Sequence, residues 1–278
     1  MSPESKIRLE ARNCLASGRL APDVISTIVV LLIPCCVIAI IDFLRTVFVL
    51  IYNHVNNMAN PPSLLAENAI EVSIMAIVIT ISLIFVSPFF LGYKKYHYAL
   101  AKGEDANITD IFYYFSKELY VKAVVFNLSL LIRLVTWLFI FLIPALAILL
   151  MSPYLYDILN QTENAKYLIR LLVSFFVCIG AIGFVLVTTK YFLAPYLMVE
   201  TNDPHYAFEA SAKIIKDSYY HVLKLMMSFI AWFALCFLVI PILYVMPYYE
   251  TACAVSAKWI IAMKIDAANN TDNLLIKE

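Results

Sequence analysis

Ionisable side chains set inside apolar sequence are where chemistry would concentrate in this chain. Glu250 lies in the apolar block 225–263, with Lys258 two helical turns further along. Arg133 lies in the run 123–143, and Asp42 stands near the end of the run 24–44, three positions before Arg45. A charge within such a run must face protein or water rather than hydrocarbon, so these four are the candidate intramembrane functional residues. Arg133 could pair with Glu250 or with Asp42, because a buried charge is costly without a partner. Its long side chain could instead reach a lipid phosphate. Lys258 is too far from Glu250 for direct contact but can line the same groove. Alternatively, Glu250 is solvated at an outer interface.

Other chemistries have little support in the residue pattern. His54, His97, His205 and His221 fall on loops or surface helices, without the spacing of a zinc protease or a paired metal site. Asp203 beside His205 reads as a helix cap. Ser211 and Ser228 have no base nearby in sequence and no nucleophile signature. With only five glycines there is no phosphate-cradling loop. The six cysteines, Cys14, Cys35, Cys36, Cys178, Cys236 and Cys253, lack metal-ligand spacing and read as small buried side chains. The expectation is a non-enzyme without cofactor or metal. The basic residues are scattered over separate boundaries, which argues against nucleic acid as a partner.

The elements that would position those charges are membrane helices. Hydrophobic residues make up 63% of the chain, charged residues 14%, and the mean hydropathy is +0.84, outside the balance of a soluble domain. Uncharged runs at 72–93, 171–189 and 225–249 approach or exceed the length needed to cross a hydrocarbon layer of about 30 Å. The first apolar run is longer than a signal peptide's hydrophobic region, and is expected to remain as an anchor. Lys6, Arg8, Arg12 and Arg19 precede it. Further clusters, Lys94, Lys95, Lys102, Lys117 and Lys122, then Lys190, Lys213, Lys216 and Lys224, recur after every second span. Basic short loops stay on the cytoplasmic side, so both termini are expected inside.

Six spans are predicted: 24–44, 70–93, 123–143 with Pro144 ending it or bending a longer helix, 168–194, and two from the last block. That block reads either as one span to 249 with an interfacial helix, or as helices 222–239 and 242–263 turning at Pro241. The second reading returns Lys264 and Lys277 to the inner side. Three amphipathic helices, 5–15, 105–122 and 204–220, are expected on the cytoplasmic surface, the last opened by Asp203-Pro204. Outer loops are expected at 52–68 and 152–166, and a polar tail at 269–278.

This order predicts a single membrane domain over 1–278 made of three parallel units, 4–101, 105–200 and 203–265, each a surface helix followed by two spans. Each second span carries a proline followed by an aromatic residue: Pro88-Phe89-Phe90, Pro195-Tyr196 and Pro247-Tyr248-Tyr249. Parallel units differ from the inverted repeats of many secondary transporters.

Gly92-Tyr93, Tyr96, Ala99, Gly103 and Asp110-Ile111-Phe112 form the first half of an ordered set of weak motifs. The second half is Tyr191, Pro195-Tyr196, Asp203-Pro204, Ala207, Ala210-Ser211, Lys213, Ser228-Phe229, Trp232, Pro247-Tyr248, Ala252 and Ala254. The set, covering 92–257, resembles an uncharacterised bacterial multi-pass inner-membrane family related to the membrane domain of some glycerophosphodiester phosphodiesterases. Lys258-Trp259 departs from its pattern. The resemblance implies six spans and a place in the bacterial cytoplasmic (inner) membrane, and transfers no catalytic residue. Lys94, Lys95, Tyr96, Lys190 and Tyr191 are the candidate interfacial lipid contacts. The expected function is non-enzymatic binding of membrane lipids or of a membrane protein partner, a homo-oligomer included; the alternative is a transporter or channel for a small or amphipathic solute.

Overall fold

The computed structural model describes residues 3–16, 20–59, 64–158, 163–236 and 241–275, with backbone only at 20, 52–53, 55–59, 64–79, 163 and 266–275. They form α1 (Pro3–Ala16), α2 (Leu20–Ala59), α3 (Leu64–Lys102), a 3-10 helix (Ile108–Phe115), α4 (Lys117–Ile158), α5 (Glu163–Thr188), α6 (Ala194–Thr201), α7 (Pro204–Ile214), α8 (Tyr219–Ser228), α9 (Ile230–Leu235) and α10 (Ile242–Leu275). The described chain is all-helical.

Three stretches are long and apolar enough to cross a membrane: Ala21–Ile51, Lys117–Ile158 and Asn164–Thr201. In their most apolar windows only 17%, 6% and 6% of residues are buried within the protein, so these helices turn hydrocarbon side chains outward. At about 1.5 Å per residue, a helix the length of α4 reaches about 60 Å, so it tilts or extends past the lipid. The expected second span falls on α3, where the side chains of its first part, 70–79, lie outside the described residues. The last two expected spans are not among the three. α10 carries Glu250 and Lys258 in its middle and is buried there by protein.

Several expected loops are helical instead. α2 runs on through Tyr52 and Asn53 to Ala59, and α4 passes Pro144 and Pro153 to Ile158, so the longer reading of the third span holds. Proline is tolerated inside membrane helices because neighbouring groups satisfy the freed carbonyl. Part of each expected loop, residues 60–63 and 159–162, lies outside the described residues. The expected polar tail is helical as far as Leu275.

The turn at Pro241 is present: Pro241 accepts the first backbone bonds of α10, from Tyr244 and Val245. The helix before it, expected over 222–239, starts at Tyr219 and breaks at Phe229; its expected end at 237–239 lies outside the described residues. Arg8 Nη2 donates to the Ser228 carbonyl at 3.1 Å while Phe229 N–H turns back to Met226, which ends α8 and starts α9.

The three short amphipathic elements are docked on protein. α1 buries Ile7, Ala11 and Leu15, one stripe at helical spacing, against α8 and α10. α7 starts as its sequence predicts: Asp203 accepts from the backbone N–H groups of His205 and Tyr206, with Pro204 in the first turn, and buries Ala207, Phe208, Ala210 and Ser211. The expected α-helix over 105–122 is a 3-10 helix followed by α4. Its period of three puts Ile111 and Tyr114 together in the core. It lies so close to α3 that a Cβ on Gly92 would sit 1.9 Å from the Ile111 carbonyl oxygen. Gly103 (φ 81) and Asn202 (φ 53) end α3 and α6 in the left-handed region, each turning the chain into its short element.

Candidate functional site

The buried core gathers the second half of α3, α6 and the middle of α10, ringed by α1, α7, α8 and the first turns of α2 and α4. Inside it lies an ion pair. Lys94 Nζ meets Glu250 Oε2 at 2.5 Å, with only 12% and 9% of the two side chains exposed. The ammonium also sits 5.5 Å from the centroids of the Phe90 and Tyr196 rings. One turn on, His97 Nδ1 is 2.9 Å from the Thr251 hydroxyl, so both members of the α3 pair face neighbouring members on α10. Beyond the apolar run of α3, His97 is wholly buried; that burial, with the Lys94 charge beside it, pushes its pKa down to about 3 and keeps the ring neutral. His97 Nε2 and the Tyr196 hydroxyl are buried with no hydrogen-bond partner among the described residues.

Polar bonds tie the remaining elements to this centre. Tyr96 donates to Asp23 Oδ1 at 2.6 Å, and the Thr27 and Tyr93 hydroxyls are 2.9 Å apart, locking α2 to α3. Tyr98 and Lys102 both donate to Glu200 Oε1 at 2.8 Å, locking α3 to α6; burial and the Glu200 carboxylate raise the Tyr98 pKa. Lys258 Nζ donates to the Ala101 carbonyl at 2.8 Å, closing the end of α3, and lies 3.4 Å from Glu10 of α1, which also accepts from Trp259.

The expected pairings of Arg133 are therefore not those present. Glu250 is held by Lys94, and Asp42 by Arg45 at 2.7 Å on an exposed turn of α2. Arg133 projects from α4 toward the helix start, as helical side chains do, and lays its guanidinium 4.4 Å from the Phe208 centroid and 5.9 Å from Tyr191. Lys258 shares the α10 core with Glu250 but is used on α1 and α3. Of the expected lipid contacts, Lys94 and Tyr96 are buried instead, Tyr96 to 1% exposure. Two adjacent lysines sit about 100° apart on a helix and cannot share one surroundings. Lys95 takes the outer side, over the Tyr113 ring at 2.9 Å and near Asp110. Lys190 is exposed and Tyr191 half-buried.

Sequence reasoning gave Lys94 a lipid contact rather than its ion pair, and passed over His97, Thr251 and Asp23 as site residues. The available signal was the spacing Lys94–His97 and Tyr93–Tyr96–His97, which puts one lysine of the doublet on a face rich in hydrogen-bonding aromatics.

Two grooves open on the apolar helices. One, of about 410 Å³, lies between α3 and α4, with Leu83, Val86, Phe90, Leu130, Leu131 and Leu134 among the residues of its wall. Asn127, which also lines it, donates from Nδ2 to the Ser87 and Ala123 carbonyls. The other, of about 590 Å³, lies between α4 and α5, where Tyr156, Lys166 and Arg170 meet Leu149 and Ile169. Lys94 and Glu250 line neither.

Comparison with curated proteins and with solved structures returns no significant match. A family model does match, and over a longer stretch than the motifs beginning at Gly92. The chain belongs to the family described as "Protein of unknown function (DUF975)", whose model matches residues 1–262.

Proposed function

We propose that this is a non-enzymatic polytopic protein of the bacterial inner membrane that binds lipid, with both termini and the buried core on the cytoplasmic side. The observation that supports this reading most is the α3–α4 groove. It is apolar along most of its lining, with Thr80, Ser87 and Asn127 as its polar residues, and opens on α4, a helix that turns hydrocarbon side chains outward. A groove so lined matches an acyl chain. The docked short helices spend one apolar stripe each on the core, which favours the grooves over those stripes as the lipid site. Six spans in three parallel units remain our architectural proposal. Phe90, Tyr196 and Tyr248, from the three proline–aromatic segments on α3, α6 and α10, pack in one core, while Phe89 joins a second cluster, and this supports the repeat. The ordered motifs support kinship with the membrane domain of some glycerophosphodiester phosphodiesterases.

The test is lipid retention. The full chain, purified in uncharged detergent and measured by native mass spectrometry, is expected to keep bound phospholipid, and Leu131→Trp, which fills the groove, to lose it. A natural chain that sheds all phospholipid, or a Leu131→Trp variant that retains as much, overturns the proposal.

Transport of a small solute is the second reading, supported by the largely buried Lys94–Glu250 pair beside two buried polar atoms without hydrogen-bond partners among the described residues, His97 Nε2 and the Tyr196 hydroxyl. Such groups mark solute or proton paths in membrane proteins. Liposome flux that disappears in Glu250→Gln favours this reading; liposomes as tight as protein-free ones sink it.

A further inference from the structure

We propose that Arg133 binds the phosphate of a membrane phospholipid headgroup, its guanidinium presented by an aromatic platform; the assignment rests on the lipid-binding reading above and names the ligand chemistry.

Three observations converge on this residue. Its flat face is occupied: Phe208 lies 4.4 Å from the guanidinium carbon and Tyr191 5.9 Å, and Phe208 is itself stacked on Phe126 at 4.9 Å with 8° between the rings. The platform is therefore fixed by α4 and α7 together. Its edge is not occupied: among the described residues Arg133 has no carboxylate within ion-pair range and donates no hydrogen bond, and both acids expected for it are held by nearer cations. Its position is the third. Arg133 is exposed on a helix long and apolar enough to cross the membrane, yet its side chain reaches back to α7 and to Tyr191, next to the exposed Lys190.

A guanidinium carries five N–H donors in a planar fork that fits phosphate oxygens two at a time, and stacking on rings leaves that fork free. In an apolar layer the donors need an acceptor from outside the chain. The anion within reach of a side chain extending toward the bilayer boundary is the lipid phosphate. Lys190 adds a second positive charge on the same side. Free inorganic phosphate offers the same oxygens, so the experiment must separate the two sources.

The full chain is exchanged into phosphate-free uncharged detergent containing traces of phosphatidylglycerol and phosphatidylcholine, and bound lipid is counted by native mass spectrometry. Arg133→Gln, Arg133→Lys and Leu131→Trp are compared with the natural chain, each checked for a monodisperse elution profile. Arg133→Gln is expected to bind about tenfold less phosphatidylglycerol, the loss of one charge-assisted pair, and Arg133→Lys to recover part of it. Leu131→Trp should lower both lipids without changing their ratio. Unchanged phosphatidylglycerol in Arg133→Gln, with lipid still displaced by Leu131→Trp, overturns the headgroup site and leaves the groove. No lipid on the natural chain overturns both. Inorganic phosphate that binds the lipid-free chain through Arg133, but that phosphatidylglycerol does not displace, overturns the lipid assignment in favour of a soluble anion.

Discussion

Replacing Glu250 by Gln keeps the side-chain volume and removes one charge from the pair at the centre of the core. Lys94 is then left 12% exposed with a neutral amide at 2.5 Å. Breaking a buried pair by removing one partner costs about 3–5 kcal/mol, because the remaining charge is uncompensated. Here the Phe90 and Tyr196 rings, each 5.5 Å from the ammonium, offset part of that, by about 1 kcal/mol in all. The expected destabilisation is therefore about 2–4 kcal/mol. Removing both charges should do less harm: Lys94→Met with Glu250→Leu fills the same space with apolar groups and should lie within about 1 kcal/mol of the natural chain. The assay is denaturant or thermal unfolding in one detergent, run as a double-mutant cycle over the two single variants and the double. A Glu250→Gln variant as stable as the natural chain, or a double variant that falls by the sum of the singles, would refute the reasoning.

Three further outcomes follow from local geometry. Gly92→Ala places a methyl against the Ile111 backbone and must move the 3-10 helix off α3; a loss of at least about 1–3 kcal/mol is expected, read by the same unfolding assay. Asp203→Ala removes the acceptor for two backbone N–H groups at the start of α7 and should cost about 0.5–2 kcal/mol, with Asp203→Asn restoring most of it. His97 is neutral in the folded chain, its pKa depressed to about 3, whereas the unfolded chain takes up the proton near the ordinary value of about 6.5. Its contribution is thus whole above about pH 6.5 and is lost as pH falls through the window toward about 3. Between pH 7 and 5 the loss should be about 2 kcal/mol, and unfolding profiles of His97→Gln should lack that slope.

What could be read along the chain was what depends on neighbours in sequence. Length and apolarity placed the long helices, since a run of hydrocarbon side chains needs a nonpolar solvent whatever it packs against. Asp203-Pro204 marked the start of α7, and Pro241 the turn before α10, because caps and missing backbone donors act within one helical turn. The same local logic over-reached at Asn53 and Pro153, where helices continue through residues that end helices in water.

Only the tertiary structure decided which charges meet. Glu250 and Lys94 are 156 positions apart, and Arg133 finds its rings on α7 and beside Lys190, so no spacing rule could have given Glu250 to Lys94 instead of Arg133. It also decided that α1 and α7 spend their apolar faces on the core rather than on lipid, because amphipathicity gives a face but not its cover. Side-chain pairing is set by how whole helices cross, and helix crossing is a property of the packed assembly rather than of any window of residues.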